Sequence, residues 1–111
     1  MARYICAFSA NAPRERLLLS LSEVLQACNF EIIYDTGDYM MGREIPGRVS
    51  FAKLVTVEAL VDKTKTNARN ARMNFVVKNE ELPLQNDNHC RQMFDVVKQA
   101  IQENTGWQLH Q

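Results

Sequence analysis

The sequence predicts an α+β domain with one antiparallel sheet, in the order β-α-β-β-β-β-α, and two helices packed on one face of it. Three observations carry this expectation. Two segments, 13–28 and 88–105, repeat apolar residues at intervals of three and four, the signature of a one-sided helix. The chain outside them alternates apolar and polar residues with a period of two, interrupted by Asp35-Thr36-Gly37-Asp38, Pro46-Gly47 and Lys63–Asn67. One such run, Val49–Asp62, is long and apolar on both faces, as a strand inside a sheet is.

Taken in order, Arg3–Ser9 alternates Tyr4, Cys6 and Phe8 against Ile5 and Ala7, a strand apolar on both sides. Asn11 is the expected cap of the first helix, and Pro13 suits a first turn, where its missing N–H has no partner to lose. Leu17, Leu18, Leu21, Val24, Leu25 and Cys28 form the buried stripe, with Leu19 at its border. Asn29 is placed to end the helix in a left-handed conformation. Phe30, Ile32 and Tyr34 then alternate with Glu31, Ile33 and Asp35. Gly37 supplies the positive φ of a hairpin turn.

On the returning strand, Tyr39, Met41 and Ile45 are assigned to the core, and Met40, Gly42 and Glu44 to the opposite face. Val49, Phe51, Val55, Val57, Ala59 and Val61 form the core face of the central strand. In the next strand Ala71, Met73, Phe75 and Val77 point inward, and Arg72, Asn74, Val76 and Lys78 outward. Leu82-Pro83-Leu84 is expected to pin a polar connection to the body. Asp87 or Asn88 caps the last helix, whose stripe is Cys90, Met93, Phe94, Val97, Ala100 and Ile101. Gly106 suits the position after that helix, Trp107 packs back onto its last turn, and 108–111 is expected to be a loose tail.

This element order resembles the fold of one half of the TATA-box-binding protein and of compact helix-grip proteins. The resemblance covers nearly the whole chain as an order of elements and carries over no functional residue. In the DNA-binding family a duplicated pair forms a saddle, so the resemblance implies that a comparable surface here requires a dimer.

The length suits a single domain, residues 1–111. An apolar share of 46% and a charged share of 23% fall in the range of ordinary globular proteins. No apolar run approaches the length of a membrane span, and MARYICAF lacks the apolar core of a signal peptide. Cys6, Cys28 and Cys90 are odd in number and embedded in apolar patterns, so reduced thiols and a cytoplasmic location are expected. The net charge of zero conceals a basic middle. Residues 43–78 carry eight basic side chains (Arg43, Arg48, Lys53, Lys63, Lys65, Arg69, Arg72 and Lys78) against three acidic, a net of +5.

Chemistry is sparse. His89 and Cys90 are neighbours on a helix and face different directions. Cys90 begins the apolar stripe, which makes it a buried structural thiol. No pair of His or Cys has metal-ligand spacing, so neither metal nor cofactor is expected. Asp35 and Asp38 flank a turn, where carboxylates cap their own loop. Gly42-Arg43 and Pro46-Gly47-Arg48 are turn arginines, and no glycine-rich phosphate loop is present. The expected function is therefore non-enzymatic: association with a second copy or another protein through the outer sheet face. That face is assigned Ile33, Met40, Leu54, Thr56, Glu58, Leu60, Arg72, Asn74 and Val76, with Arg72 or Lys78 meeting Glu58 across a twofold axis. Two alternatives accompany it. One is an apolar ligand pocket between the sheet and the last helix, lined by Met73, Phe75, Met93 and Phe94. The other is a nucleic-acid module using segment 43–78; nucleic acid is the less expected partner, because Phe51, Phe75, Tyr34 and Tyr39 are all assigned to the core.

Overall fold

The computed structural model describes residues 1–64, 66, 70–82, 88–105 and 107–110. Its elements are β1 (Ala2–Ala10), α1 (Arg14–Ala27), β2 (Phe30–Asp35), β3 (Tyr39–Glu44), β4 (Thr56–Val61), β5 (Ala71–Asn79), α2 (His89–Thr105) and β6 (Gln108–His110). The strands form one sheet in the order β2-β3-β4-β5-β1-β6, with every neighbouring pair antiparallel. Both helices lie on one face. The predicted α+β class and element order hold, with β6 added. Residues 108–110, expected as a loose tail, pair with Ala7–Ser9 of β1.

The core lies between the helices and the inner sheet face. Leu17, Leu18, Leu21, Val24 and Leu25 of α1 are buried, as are Cys90, Phe94, Val97 and Ile101 of α2. They meet Phe8, Val57, Ala59, Val61, Met73, Phe75 and Val77, which the period-2 pattern of β1, β4 and β5 turns inward. Each fully buried Leu, Phe or Val side chain contributes about 1.5–3 kcal/mol. Tyr4 stacks on Phe94, with ring centroids 5.6 Å apart, and ties β1 to α2. The half-buried Trp107 meets Phe8 edge-on at 6.3 Å, closing the end of the core after α2.

Helix ends follow local chemistry. Asn29 has φ 73° and Gly37 φ 89°, the left-handed conformations expected at a helix end and a hairpin turn. Asn11 does not cap α1: Pro13 occupies that position, and its carbonyl accepts from Arg16 N–H and Leu17 N–H. Asn88 caps α2, its Oδ1 accepting Arg91 N–H at 2.7 Å. The alternative cap, Asp87, lies outside the described residues, as do Pro83, Leu84 and Gly106. Leu82 is exposed and does not pin its connection.

Three expectations about facing are corrected. The run Val49–Asp62 is not one strand. Its partner β3 ends at Glu44, so residues before Val55 have no ladder to join, and the backbone closes instead into a 3₁₀ turn at Phe51–Lys53. Phe51 is consequently 82% exposed. Second, β3 faces the other way: Met40, Gly42 and Glu44 point into the core, and Tyr39 and Met41 outward. The Cβ direction at Gly42 points to the helix side of the sheet, 3.4 Å from Leu25 Cδ1 of α1. Third, the β2–β3 register shifts between Ile32 and Tyr34. The extra residue, Ile33, is a bulge that reverses the alternation and sends Tyr34 to the outer face.

Candidate functional site

The outer sheet face is built by register. Glu31, Arg43, Thr56, Lys78 and Arg3 form one row across β2-β3-β4-β5-β1. Tyr34, Met41, Glu58, Val76 and Ile5 form the next, and Tyr39, Leu60, Asn74 and Ala7 a third. Helices cover the opposite face only. Ile5 is 58% exposed, Tyr34 56% and Leu60 51%, while Val76 and Met41 are half-buried between them. The face is thus a charged row flanking an apolar one.

Its centre carries a carboxylate already neutralised within the chain. Glu58 is paired with Lys78 Nζ and accepts from Tyr39 Oη at 2.8 Å. The Lys78 contact first, then the Tyr39 hydrogen bond, hold the Glu58 carboxyl below its ordinary range despite partial burial. Tyr39 responds oppositely: partial burial and its bond to the Glu58 carboxylate push its hydroxyl up to about 12. Tyr34 and Tyr39 meet edge-on at 6.0 Å beside this pair.

Of the residues assigned to this face, Thr56, Glu58, Leu60, Arg72, Asn74 and Val76 lie on it. Met40 does not: the inward turn of β3 buries it to 1% exposure. Leu54 precedes β4 and is outside the sheet ladder, and Ile33 occupies the bulge. Within one chain Lys78 pairs with Glu58. Sequence reasoning missed Ile5, Tyr34, Tyr39 and Met41. Ile5 was visible as the apolar residue on the second side of β1; the others depend on the bulge and on β3's orientation.

The residues assigned to a ligand pocket are core. Met73 and Phe75 are fully buried, Phe94 stacks on Tyr4, and Met93 packs against the same cluster. A cleft of about 750 Å³ lies elsewhere, between α1 and Trp107, lined by Arg16, Ser20 and Glu23 among others. The basic segment is dispersed: Lys63 pairs with Asp38 at 3.2 Å and Lys78 with Glu58, while Lys65 and Arg69 lie outside the described residues. Asp35 caps its own turn, accepting Gly37 N–H at 3.0 Å, whereas Asp38, among the described residues, does not cap its loop and instead also holds Arg14 of α1.

A second polar cluster sits where α2 begins. Glu44 is 1% exposed. His89 Nε2 lies 2.9 Å and 3.0 Å from its two oxygens, and Val55 N–H donates to it at 3.1 Å. Glu81 accepts His89 N–H, Cys90 N–H and Asn79 Nδ2 at 3.3, 2.9 and 2.5 Å. Burial alone would raise the Glu81 carboxyl, but these donors outweigh it and hold it below its ordinary range. Glu44, through the His89 ring, and Glu81, through the His89 and Cys90 N–H groups, thus fasten the N-terminus of α2 to β3 and β5, Glu81 satisfying donors that a helix leaves open. Cys90 is buried, and that burial, with the nearby Glu81 charge, pushes its thiol up to about 12, a resting structural thiol. Among the described residues no group of three or more His, Cys, Asp or Glu side chains is placed to hold a metal ion, and no helix is long and apolar enough to cross a membrane.

No family model matches the chain, and no curated protein matches it significantly. Among solved structures, TTHA0849 from Thermus thermophilus is similar over 93% of this chain and 88% of its own, with 16% identity and a TM-score of 0.33.

Proposed function

We propose that this domain works by association, pairing with a second copy of itself through the outer sheet face. The observation that supports this reading is the exposure of Ile5, Tyr34 and Leu60 in adjacent rows of a face that no helix covers. Glu58 does not oppose burial of that face, because Lys78 and Tyr39 already satisfy its carboxylate. The same carboxylate weighs against a nucleic-acid platform, where it would repel the phosphates that stacking on Tyr34 brings close.

Light scattering across a concentration series tests the reading. A two-subunit mass is expected for the wild type and a single-subunit mass for Leu60→Glu, with circular dichroism unchanged because Leu60 lies outside the core. A wild-type chain that stays monomeric at high micromolar concentration refutes it.

A further inference from the structure

The layout of charge on the outer face selects how two copies meet, an inference that rests on the association proposed above. Two sheets packed face to face about a twofold axis in the interface plane have two simple choices. An axis across the strands lays each strand on its own copy reversed, so that the row Arg43-Thr56-Lys78-Arg3 covers the row Tyr39-Leu60-Asn74-Ala7. Arg43 and Arg3 would then be buried against residues that offer no carboxylate, a desolvation cost with no compensating partner, while Lys78 keeps Glu58 of its own chain. An axis parallel to the strands keeps each row on the same row and reverses strand order, so that β2 lies over β1 and β4 over itself.

We infer that the dimer axis runs parallel to the strands through β4, placing Glu31 of each copy over Arg3 of the other. These two residues stand at opposite ends of one row, on the flanking strands β2 and β1. Both are exposed, and among the described residues neither is held in an ion pair. Arg43 comes to lie over the second copy's Lys78, whose charge Glu58 already neutralises. The aligned strands match the common sheet-on-sheet arrangement, whose strand directions agree within about 30°. Leu60 meets its own copy near the axis, and Tyr34 and Met41 lie over Ile5 and Val76.

The area stands at the lower edge of what a specific interface needs. Five strands about 4.8 Å apart, each about 20 Å long, give roughly 480 Å² per face. Two such faces reach the order of 1,000 Å², the lower bound of a specific interface.

A charge swap tests the geometry, read as the dimer dissociation constant from sedimentation equilibrium. Arg3→Glu and Glu31→Arg each replace two attractions with two repulsions, and each is expected to weaken the dimer about tenfold. The combined variant is expected to return to within about threefold of wild type, with the single-variant losses shrinking at high salt. A dimer that Leu60→Glu abolishes but that the single charge variants leave unchanged, or that the double variant does not restore, overturns the axis while leaving the association intact. A monomeric wild type overturns both.

Discussion

Replacing His89 with alanine isolates what the polar cluster under α2 contributes. In the native chain both Glu44 oxygens face His89 Nε2 at 2.9 and 3.0 Å, and Val55 N–H donates at 3.1 Å. The substitution leaves a carboxylate that is 1% exposed with, among the described residues, the Val55 donor alone. Removing one member of a buried pair costs about 3–5 kcal/mol, whereas losing one hydrogen bond to a charged group costs about 1.5–3 kcal/mol. The lower range applies here, because the His89 side chain is itself 15% exposed and its removal opens a route for water to reach Glu44. We expect His89→Ala to lose about 2–3 kcal/mol, and the helix propensity of alanine to return only a few tenths of that. Urea unfolding followed by the fluorescence of Trp107, the single tryptophan, measures it. Replacing both partners with leucine should cost far less than the sum of the single changes, since no charge is then stranded. A His89→Ala loss below about 0.5 kcal/mol, with no coupling in the double-mutant cycle, would refute the assignment of Glu44 and His89 as one unit.

Acidification should weaken the fold through Glu58 and Glu81, whose carboxyls are both held below their ordinary range in the native state. Their contribution is complete above the unfolded value of about 4.3 and is lost as pH falls through the lower folded values. Urea midpoints measured across that range should fall less steeply in Glu58→Gln. In the same variant, absorbance titration should show Tyr39, which otherwise ionises near 12, losing protons earlier because the neighbouring charge is gone. For thiols, Cys6 and Cys90 are buried and raised to about 11 and 12, so Ellman's reagent at pH 8 should modify native protein at the half-buried Cys28 first. Rapid labelling of all three thiols without denaturant would contradict the packing of β1 and α2.

Which parts of this structure were legible in the residues follows from how far each signal reaches. Helix stripes such as Leu17-Leu21-Val24 and Cys90-Phe94-Val97-Ile101 repeat within a single element, and both proved buried. The alternation of β4 and β5 was likewise local, and it placed Leu60, Arg72, Asn74 and Val76 correctly. Facing failed where one residue decides it. Ile33 looks like any other strand residue, yet as a bulge it sends Tyr34 outward. Glu44 reads as a surface residue until His89, far away in sequence, is known to meet it. The facing of β3 is set across the ladder instead, where Met40 and Gly42 lie beside the inward Ala59 and Val57, and Tyr39 beside the outward Leu60. Val49–Lys53 alternates convincingly, but alternation does not reveal that the partner strand has ended.

The pairing of β1 with β5 also sets a timetable for folding. Ala10 and Ala71 meet 61 positions apart, and Ala2 and Asn79 meet 77 positions apart. Such long loops are slow to close and raise contact order. With synthesis at about 5–20 residues per second, the stretch Tyr4–Phe8 emerges several seconds before the strand that shields it exists. During that interval the hairpin of β2 and β3 and the helix α1 can form, while β1 waits as an exposed apolar segment. A substitution that delays β5, such as one at Phe75, would therefore lengthen the period in which β1 is open to aggregation, beyond its effect on equilibrium stability.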